Sequence, residues 1–432
     1  VKARTLCPGF FVCTERDKTN IAFPKMNNKK AIGVVFLTTF LDLLGFGLII
    51  PILPLFTKEL GATDAQIGLI AAVYALMNFG FSPLWGRLSD RYGRRPIILV
   101  SVLITALAYV VFAQAHNLWI LLASRVLSGI GSANIGAAQA YVGDVTEPKE
   151  RAKTMGLIGA AFGLGFIAGP PIGGYIKELY GIGVLGYTTA GLSMVNFALA
   201  YFFLPESLKK ELRTKVVKVE NIFNSLWEQL KKPQIGKIFV INILMIIAFS
   251  MMQVSAALIW KEESGLDGIG IGKLFMFIGL CSAIVQGVLV GPISKRFGER
   301  QMLAIGLIIL VVGLAAMPYV QADRLVPYQY VDIALIALAI GFINPALMSL
   351  VTLYASPKEL GYVTGLFQSF GSLGRAIGPS VGGAMYGWSH HLPYEVGPVL
   401  VIVALFLSRT LTKAKPPDLS EKLEPDEHLL MK

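Results

Sequence analysis

The chain has 432 residues, of which 54% are hydrophobic and only 15% charged, with a mean hydropathy of +0.64. An ordinary soluble domain is about 25% charged, so this composition excludes a water-soluble enzyme. The 38 Lys and Arg against 27 Asp and Glu give a net charge of +11, but the basic residues sit in short connections between apolar blocks and do not cluster on one surface, which argues against nucleic acid as a partner. Three cysteines, Cys7, Cys13 and Cys281, supply neither a disulfide framework nor a spaced zinc pattern, so no metal and no cofactor are expected.

In chain order, residues 1–30 read as a disordered extension: the apolar stretch at Phe10–Val12 is too short for a signal-peptide core, and seven Lys or Arg are scattered through the segment. Met26 opens MNNKK just before the first long apolar run and is the expected functional start. Twelve apolar blocks follow, each long enough for a membrane-spanning helix. They lie at 31–56, 67–86, 96–114, 118–143, 153–176 and 184–204, then at 236–259, 270–294, 301–320, 330–355, 361–387 and 393–410. The polar segment 205–235, with charges from Glu206 to Lys232, reads as a linker between two six-helix bundles, 31–204 and 236–410. The tail, 411–432, with its acidic stretch Asp418–Glu427, reads as solvated.

Thirty-one basic residues fall in the N-terminal segment, the even-numbered connections and the tail, against five on the other side: Lys58, Lys177, Lys261, Lys273 and Arg324. Lys and Arg are retained on the cytoplasmic side. Both termini and the linker are therefore expected in the cytoplasm. Arg125 and Arg375, the remaining two, fall within spans.

The halves also repeat. LWGRLSDRYGRRP (84–96) aligns with LVGPISKRFGERQ (289–301), and GPPIGG (169–174) with GPSVGG (378–383). Two six-span repeats in the same orientation imply a symmetry axis along the membrane normal and a cavity between the halves near the midplane, which suits alternating access.

Asp42 lies eleven residues into the first span, about 16 Å deep in a hydrocarbon core of roughly 30 Å. No other carboxylate is expected at that depth. A charge there costs about 2.5–3.5 kcal/mol on insertion scales, so Asp42 should be partnered or protonated, which suits a proton carrier; a structural hydrogen bond near Gly45 and Gly47 is the alternative. Arg125 lies about 10 Å into the fourth span and stays charged at physiological pH, so it cannot carry the proton itself. Arg375 in the eleventh span either faces the cavity, where it would attract an anionic substrate group, or satisfies backbone carbonyls near Pro379.

The segments GRLSDRYGRRP after span 2, FLDLLGFGLIIPILP in span 1, RVLSGIGSA in span 4, AYVGDVTEPKERA after it and GLGFIAGPPIGG in span 5 resemble those of the major facilitator superfamily, closest to the drug/proton antiporter branch that includes tetracycline efflux proteins. The resemblance covers roughly 31–410. It implies an all-α membrane protein of twelve transmembrane helices in two pseudo-symmetric halves, acting as a proton-coupled antiporter that exports small amphipathic molecules. It further implies that Asp42 carries the proton and that Arg125 takes part in coupling, by pairing with Asp42 or by stabilising its charged form; a plain packing ion pair is the alternative.

Gly86, Asp90, Gly93, Arg94 and Arg95, with Asp144 as the partnering acid, form a tight charged turn. As in the family, this cluster is expected to latch the cytoplasmic face while the other face is open and to break on the way inward. In the second copy Lys295 replaces the acid, so that latch should be weaker. Gly165, Gly169 and Gly173 recur every four residues and, with Pro170, Pro171 and Gly174, form the antiporter-type helix motif; Gly374, Gly378 and Gly382 repeat the spacing. Asn134, Gln139, Asn242, Gln253, Asn344 and Trp260 are the polar and aromatic candidates for substrate contact, alongside Arg375.

The third span departs from the tetracycline pattern. Where those antiporters resemble VSLAGAAVDYA with a buried Asp, this chain has VSVLITALAYV with Ala108, and its C-terminal half is expected to lack the intramembrane acid and His. Tetracycline itself is thus not the expected substrate, whereas broader drug efflux is. Sugar or metabolite transport is an alternative, since LPES (204–207) also occurs in sugar porters, and a non-transporting receptor or scaffold is another, weakened by Asp42 and Arg125. His116, His390, His391 and His428 fall in connections or the tail, so no catalytic constellation and no enzyme is expected. The expected partners are a small-molecule substrate, protons and the lipid bilayer, with the protein a monomer in a bacterial inner membrane.

Overall fold

The computed structural model describes residues 28–146, 151–208, 213, 222–319, 328–355 and 360–412, and among these the regular structure is helical throughout. That follows from the composition: inside a bilayer each backbone amide must find its partner within the segment, and a helix meets this without neighbours. The expected N-terminal extension, Met26 and most of the C-terminal tail lie outside the described residues.

The elements in order are α1 (Asn28–Ile49), α2 (Leu53–Glu59), α3 (Asp64–Tyr92), α4 (Arg94–Ala113), α5 (Leu118–Gly131), α6 (Ile135–Val145), α7 (Arg151–Phe203), α8 (Ile222–Lys231), α9 (Pro233–Glu262), α10 (Gly268–Ile284), α11 (Val290–Ala316), α12 (Tyr330–Tyr354), α13 (Leu360–Trp388) and α14 (Leu392–Arg409). Local chemistry sets several boundaries. Thr63 and Gln66 form a capping box at the start of α3, and Asn117 and Asp267 accept from Ile120 N and Gly270 N at the starts of α5 and α10. Gly93, at φ 110°, turns the chain between α3 and α4.

Among the described residues, nine runs are long and apolar enough to cross a membrane. Two of them are not single rods, because Gly181 at φ 83° breaks α7 and Gly298 at φ 75° breaks α11, conformations that side-chain-bearing residues rarely adopt. Three spans are less regular than expected. The first ends at Ile49 and resumes after Pro51 as α2; the fourth is interrupted by a 3-10 turn, Ser132–Asn134; and α10 passes through a π-helical segment, Val285–Leu289, into α11. The expected linker also contains a helix, α8, whose Leu226 is buried in the core built around α9.

The helices gather into two bundles. In the first, α1 and α4 pack on α7, and α3 and α4 on α5; in the second, α9 lies against α13 and α14, and α11 against α12 and α14. The seam between bundles is made by α3 against α13 and α7 against α10. Both chain ends of the described region lie at one face, here the terminal face: Ile32 and Val35 of α1 pack with Ile97, Val145 and Leu204, while at the other end of the chain Lys237 donates to Thr410 O and Thr412 N to Gln234.

Glycines show how the seam runs. Toward the opposite face the backbones touch: a Cβ on Gly68 would overlap the Pro379 carbonyl, one on Gly383 the Asp64 carbonyl, and one on Gly174 the Gly268 carbonyl. Toward the terminal face, Gly80, Gly86, Gly163, Gly287, Gly291 and Gly365 have nothing within 4 Å of where a Cβ would stand. The seam is closed by direct backbone contact at the opposite face. Leu at position 383 should wedge the shut end open. We expect Gly383→Leu to raise thiol-reagent labelling of a single cysteine introduced at Ser380 in a cysteine-free background; unchanged labelling would show that the contact does not seal the seam.

Candidate functional site

Asp42 sits midway along α1, where that helix approaches the second half of α7. Asn196 Nδ2 donates to Asp42 Oδ1 at 2.8 Å and to Thr38 O at 3.1 Å, while Asn134, which donates to Ser101 Oγ at 2.6 Å, lies on its other side. Asn196 Oδ1 is buried and has no donor. The close approach is built by small residues: a Cβ on Gly165 would stand 2.9 Å from Leu43 C, one on Gly169 2.7 Å from Gly47 Cα, and one on Gly173 would overlap the Leu48 carbonyl. The motif in α7 therefore presses this helix onto the α1 segment that carries Asp42. Gly174 and the Pro170 carbonyl turn the other way, onto Gly268 and Gly272 of α10, so one motif packs both within its bundle and across the seam.

Arg125 of α5 is 3% exposed, yet it does not pair with Asp42. Its guanidinium lies over the Phe112 ring at 5.3 Å, Nε is 3.5 Å from Ser124 Oγ, and Nη2 is buried without a partner. Tyr74 of α3 stacks on Phe46 with ring centroids 5.0 Å apart and lies within electrostatic range of Asp42, Arg125 and Arg375. Arg375 of α13 is exposed along the seam, and its hydrogen bond goes to Ser372 Oγ at 3.0 Å, one turn earlier. Among the described residues, the centre thus holds one carboxylate bound by amides and two guanidiniums with no carboxylate against them.

The other expected substrate contacts do not assemble as a group. Asn134 is buried beside Asp42, and Asn242 is buried against α13 at Gly371. Gln253 is half-buried, whereas Gln139 and Asn344 are exposed. Trp260 is 2% exposed and edge-on to Phe275 at 5.6 Å, inside the second bundle and away from the seam.

At the terminal face, Arg94 is the hub of the charged turn. Its guanidinium meets Asp90 at 2.5 Å and Asp144 at 3.2 Å and donates to Ser89 Oγ, while its backbone N–H donates to Glu206 at 2.8 Å. Glu206 also faces Arg213, and its carboxylate fills the place where a Cβ on Gly93 would stand. Arg95 donates to Tyr201 O at 2.6 Å and lies over that ring; Gly86 meets no neighbour. Asp90 and Asp144 belong to the first bundle, and Glu206 and Arg213 to the segment that follows it.

A family model of the Major Facilitator Superfamily matches residues 35–379 and 238–429. The chain belongs to the major facilitator superfamily. It is similar to the tetracycline resistance protein, class C, of Escherichia coli, 30% identical over 88% of this chain and 96% of that protein, and to multidrug resistance protein 2 of Bacillus subtilis, 29% identical over 90% and 97%. Among solved structures, the human organic anion transporter MFSD10 (TETRAN) superimposes with a TM-score of 0.69 at 25% identity, covering 89% of this chain and 100% of that one.

In this superfamily member, four features of the site escaped the sequence reading. Asn196 and Tyr74 are polar residues inside apolar blocks, a signal available in principle but shared by many residues. The third is an ion pair across the seam at the opposite face, where Lys58 of α2 meets Glu262 at the end of α9; Asp64 also lies 3.5 Å from Lys58, and Tyr386 Oη donates to Glu262 at 2.8 Å. The fourth is Asp332 in the C-terminal half, 4% exposed in the first turn of α12. It was overlooked because it stands at the edge of its apolar block.

A partly exposed pair such as Lys58–Glu262 is worth about 0.2–1 kcal/mol. Glu262→Gln should therefore shift the population toward an open opposite face by roughly 1.4- to 5-fold, read as faster labelling of a cysteine at Ser380; no change in rate would mean that the glycine contacts alone hold this face shut.

Proposed function

We propose that the protein is a proton-coupled antiporter that exports small amphipathic molecules by alternating access, with Asp42 as the proton carrier. The observation that carries this reading is the Asp42–Asn196 pair. Asn196 donates to one carboxylate oxygen while its own carbonyl oxygen is buried without a donor. A proton on Asp42 supplies that donor and closes a two-bond acid–amide pair; loss of the proton leaves a buried charge held by amides, with Arg125 unpaired in the same bundle. Two forms, each with a distinct set of partners, are what a carrier needs, since a buried polar group is costly when unsatisfied.

In this reading the chain crosses the membrane twelve times: the nine apolar runs, two of them divided at Gly181 and Gly298, plus α13. The terminal face is cytoplasmic, in keeping with the bias of basic residues, and the protein works as a monomer in the cell membrane. The seam opens at the terminal face, where it loads substrate from the cytoplasm while Asp42 releases its proton. Each proton moving inward supplies about 2.3 kcal/mol per 100 mV. The relatives named for tetracycline and multidrug resistance support a drug-type substrate.

A second reading, an organic anion as the substrate, is favoured by Arg375, a guanidinium exposed on the seam with no acid against it, and by the likeness to the human organic anion transporter. One assay tests both. Inside-out vesicles energised acid-inside and loaded with a pH dye are challenged with cationic, neutral and anionic drugs. Substrate-induced alkalinisation is expected to vanish in Asp42→Asn, and persistence of the signal would remove Asp42 as the carrier. If the substrate is anionic, Arg375→Gln should raise its KM by at least about tenfold, the cost of a lost charge-assisted hydrogen bond of about 1.5–3 kcal/mol; equal loss for cationic drugs would reject the anion reading.

A further inference from the structure

We infer that the second bundle holds a proton-binding site of its own, Asp332, reached from the opposite face along His390, His391, Glu263 and Tyr394. Both carboxylate oxygens of Asp332 are out of contact with solvent and neither has a hydrogen-bond donor. Gln329, one turn earlier, is fully buried, and both of its amide atoms also lack partners. Among the described residues no cationic side chain pairs with Asp332. An anion in such a place has lost its hydration with nothing in return, and the positive end of α12 offsets only part of that loss. A proton resolves it. The neutral acid provides an O–H donor one turn from an amide oxygen that lacks one, and residues three apart on a helix lie on the same face.

The surroundings connect this site to the surface. Tyr394, in the first turn of α14, lies within electrostatic range of both Asp332 and Glu263, and its buried hydroxyl has no hydrogen-bond partner. Glu263, just past the end of α9, is 3.8 Å from His390 Nδ1 and 3.7 Å from His391 Nε2. Those two imidazoles are nearly half exposed, at 47% and 44%. The titratable groups facing Asp332 are thus Tyr394 from α14 and, behind it, Glu263 with the histidine pair. From α10 and α11, which also pack on α12, no charged side chain among the described residues comes within range. Neighbouring Glu262 is already engaged by Lys58 and Tyr386. This inference rests on the burial of Asp332 and is independent of what the protein transports.

The test is infrared titration of the purified, full-length protein, following the carbonyl stretch that a carboxyl group shows only when protonated. Asp332→Asn is expected to lose one carboxyl's share of that band, a share that Asp42→Asn leaves in place; Asp332→Glu, which keeps the acid, should shift the band, and it serves if the asparagine variant does not purify. A band unchanged in Asp332→Asn, or in Asp332→Glu, would show that residue 332 is ionised throughout and overturn the proposal. Because Asp42→Asn removes a different share, failure of the transport reading and failure of this one are separately visible. Glu263→Gln should slow proton exchange at the Asp332 band after a pH jump by at least about threefold, and an unchanged rate would remove the proposed route.

Discussion

A polar group in this molecule has no water to fall back on, and every charge inside the bundles has to find a partner within protein. Where the partners are good, the charge is structural: Arg94 meets two carboxylates, a hydroxyl and, through its backbone, a third acid. Where they are incomplete, the group is free to change state or to take a ligand. Asp42 has amides but no cation, Arg125 has an aromatic face but no anion, and Arg375 has one serine hydroxyl.

Small residues convert this chemistry into a machine with moving parts. Helices in lipid gain little from hydrophobic burial against one another, so they associate where backbones can approach, and that means glycine. The α7 motif uses Gly165, Gly169 and Gly173 to hold α1, and with it Asp42, against the body of its own bundle, while Gly174 reaches across the seam. The helix packed against the Asp42 segment thus also touches the partner bundle. At the opposite face the shut seam combines backbone contact at Gly68 and Gly383 with the cross-bundle ion pair Lys58–Glu262, a closure weak enough to be reversed.

Much of this was legible in the residues. The helical class and the approximate span positions follow from the apolar runs, whereas the breaks near Pro51, Gly181 and Gly298 emerge only in the structure. Asp42, Arg125 and the charged turn stood out because charges within or beside apolar blocks are costly and therefore informative. Asp332 did not, since an acid at the edge of an apolar block looks the same in sequence whether it faces headgroups or a bundle interior. Nor did the residues that surround Asp42: the structure places Asn134 beside the acid, while Trp260 is buried against Phe275.

The sequence by itself determined that the chain is a helical membrane protein with a duplicated plan and two charges embedded in its first half. Tertiary structure alone decided which of those charges meet. Asp42 is 154 positions from Asn196, and Lys58 is 204 positions from Glu262, distances over which local propensity says nothing. Helix rotation about its own axis decides whether a polar residue faces lipid, its own bundle or the seam, and that rotation is set by the packing of all the neighbours at once.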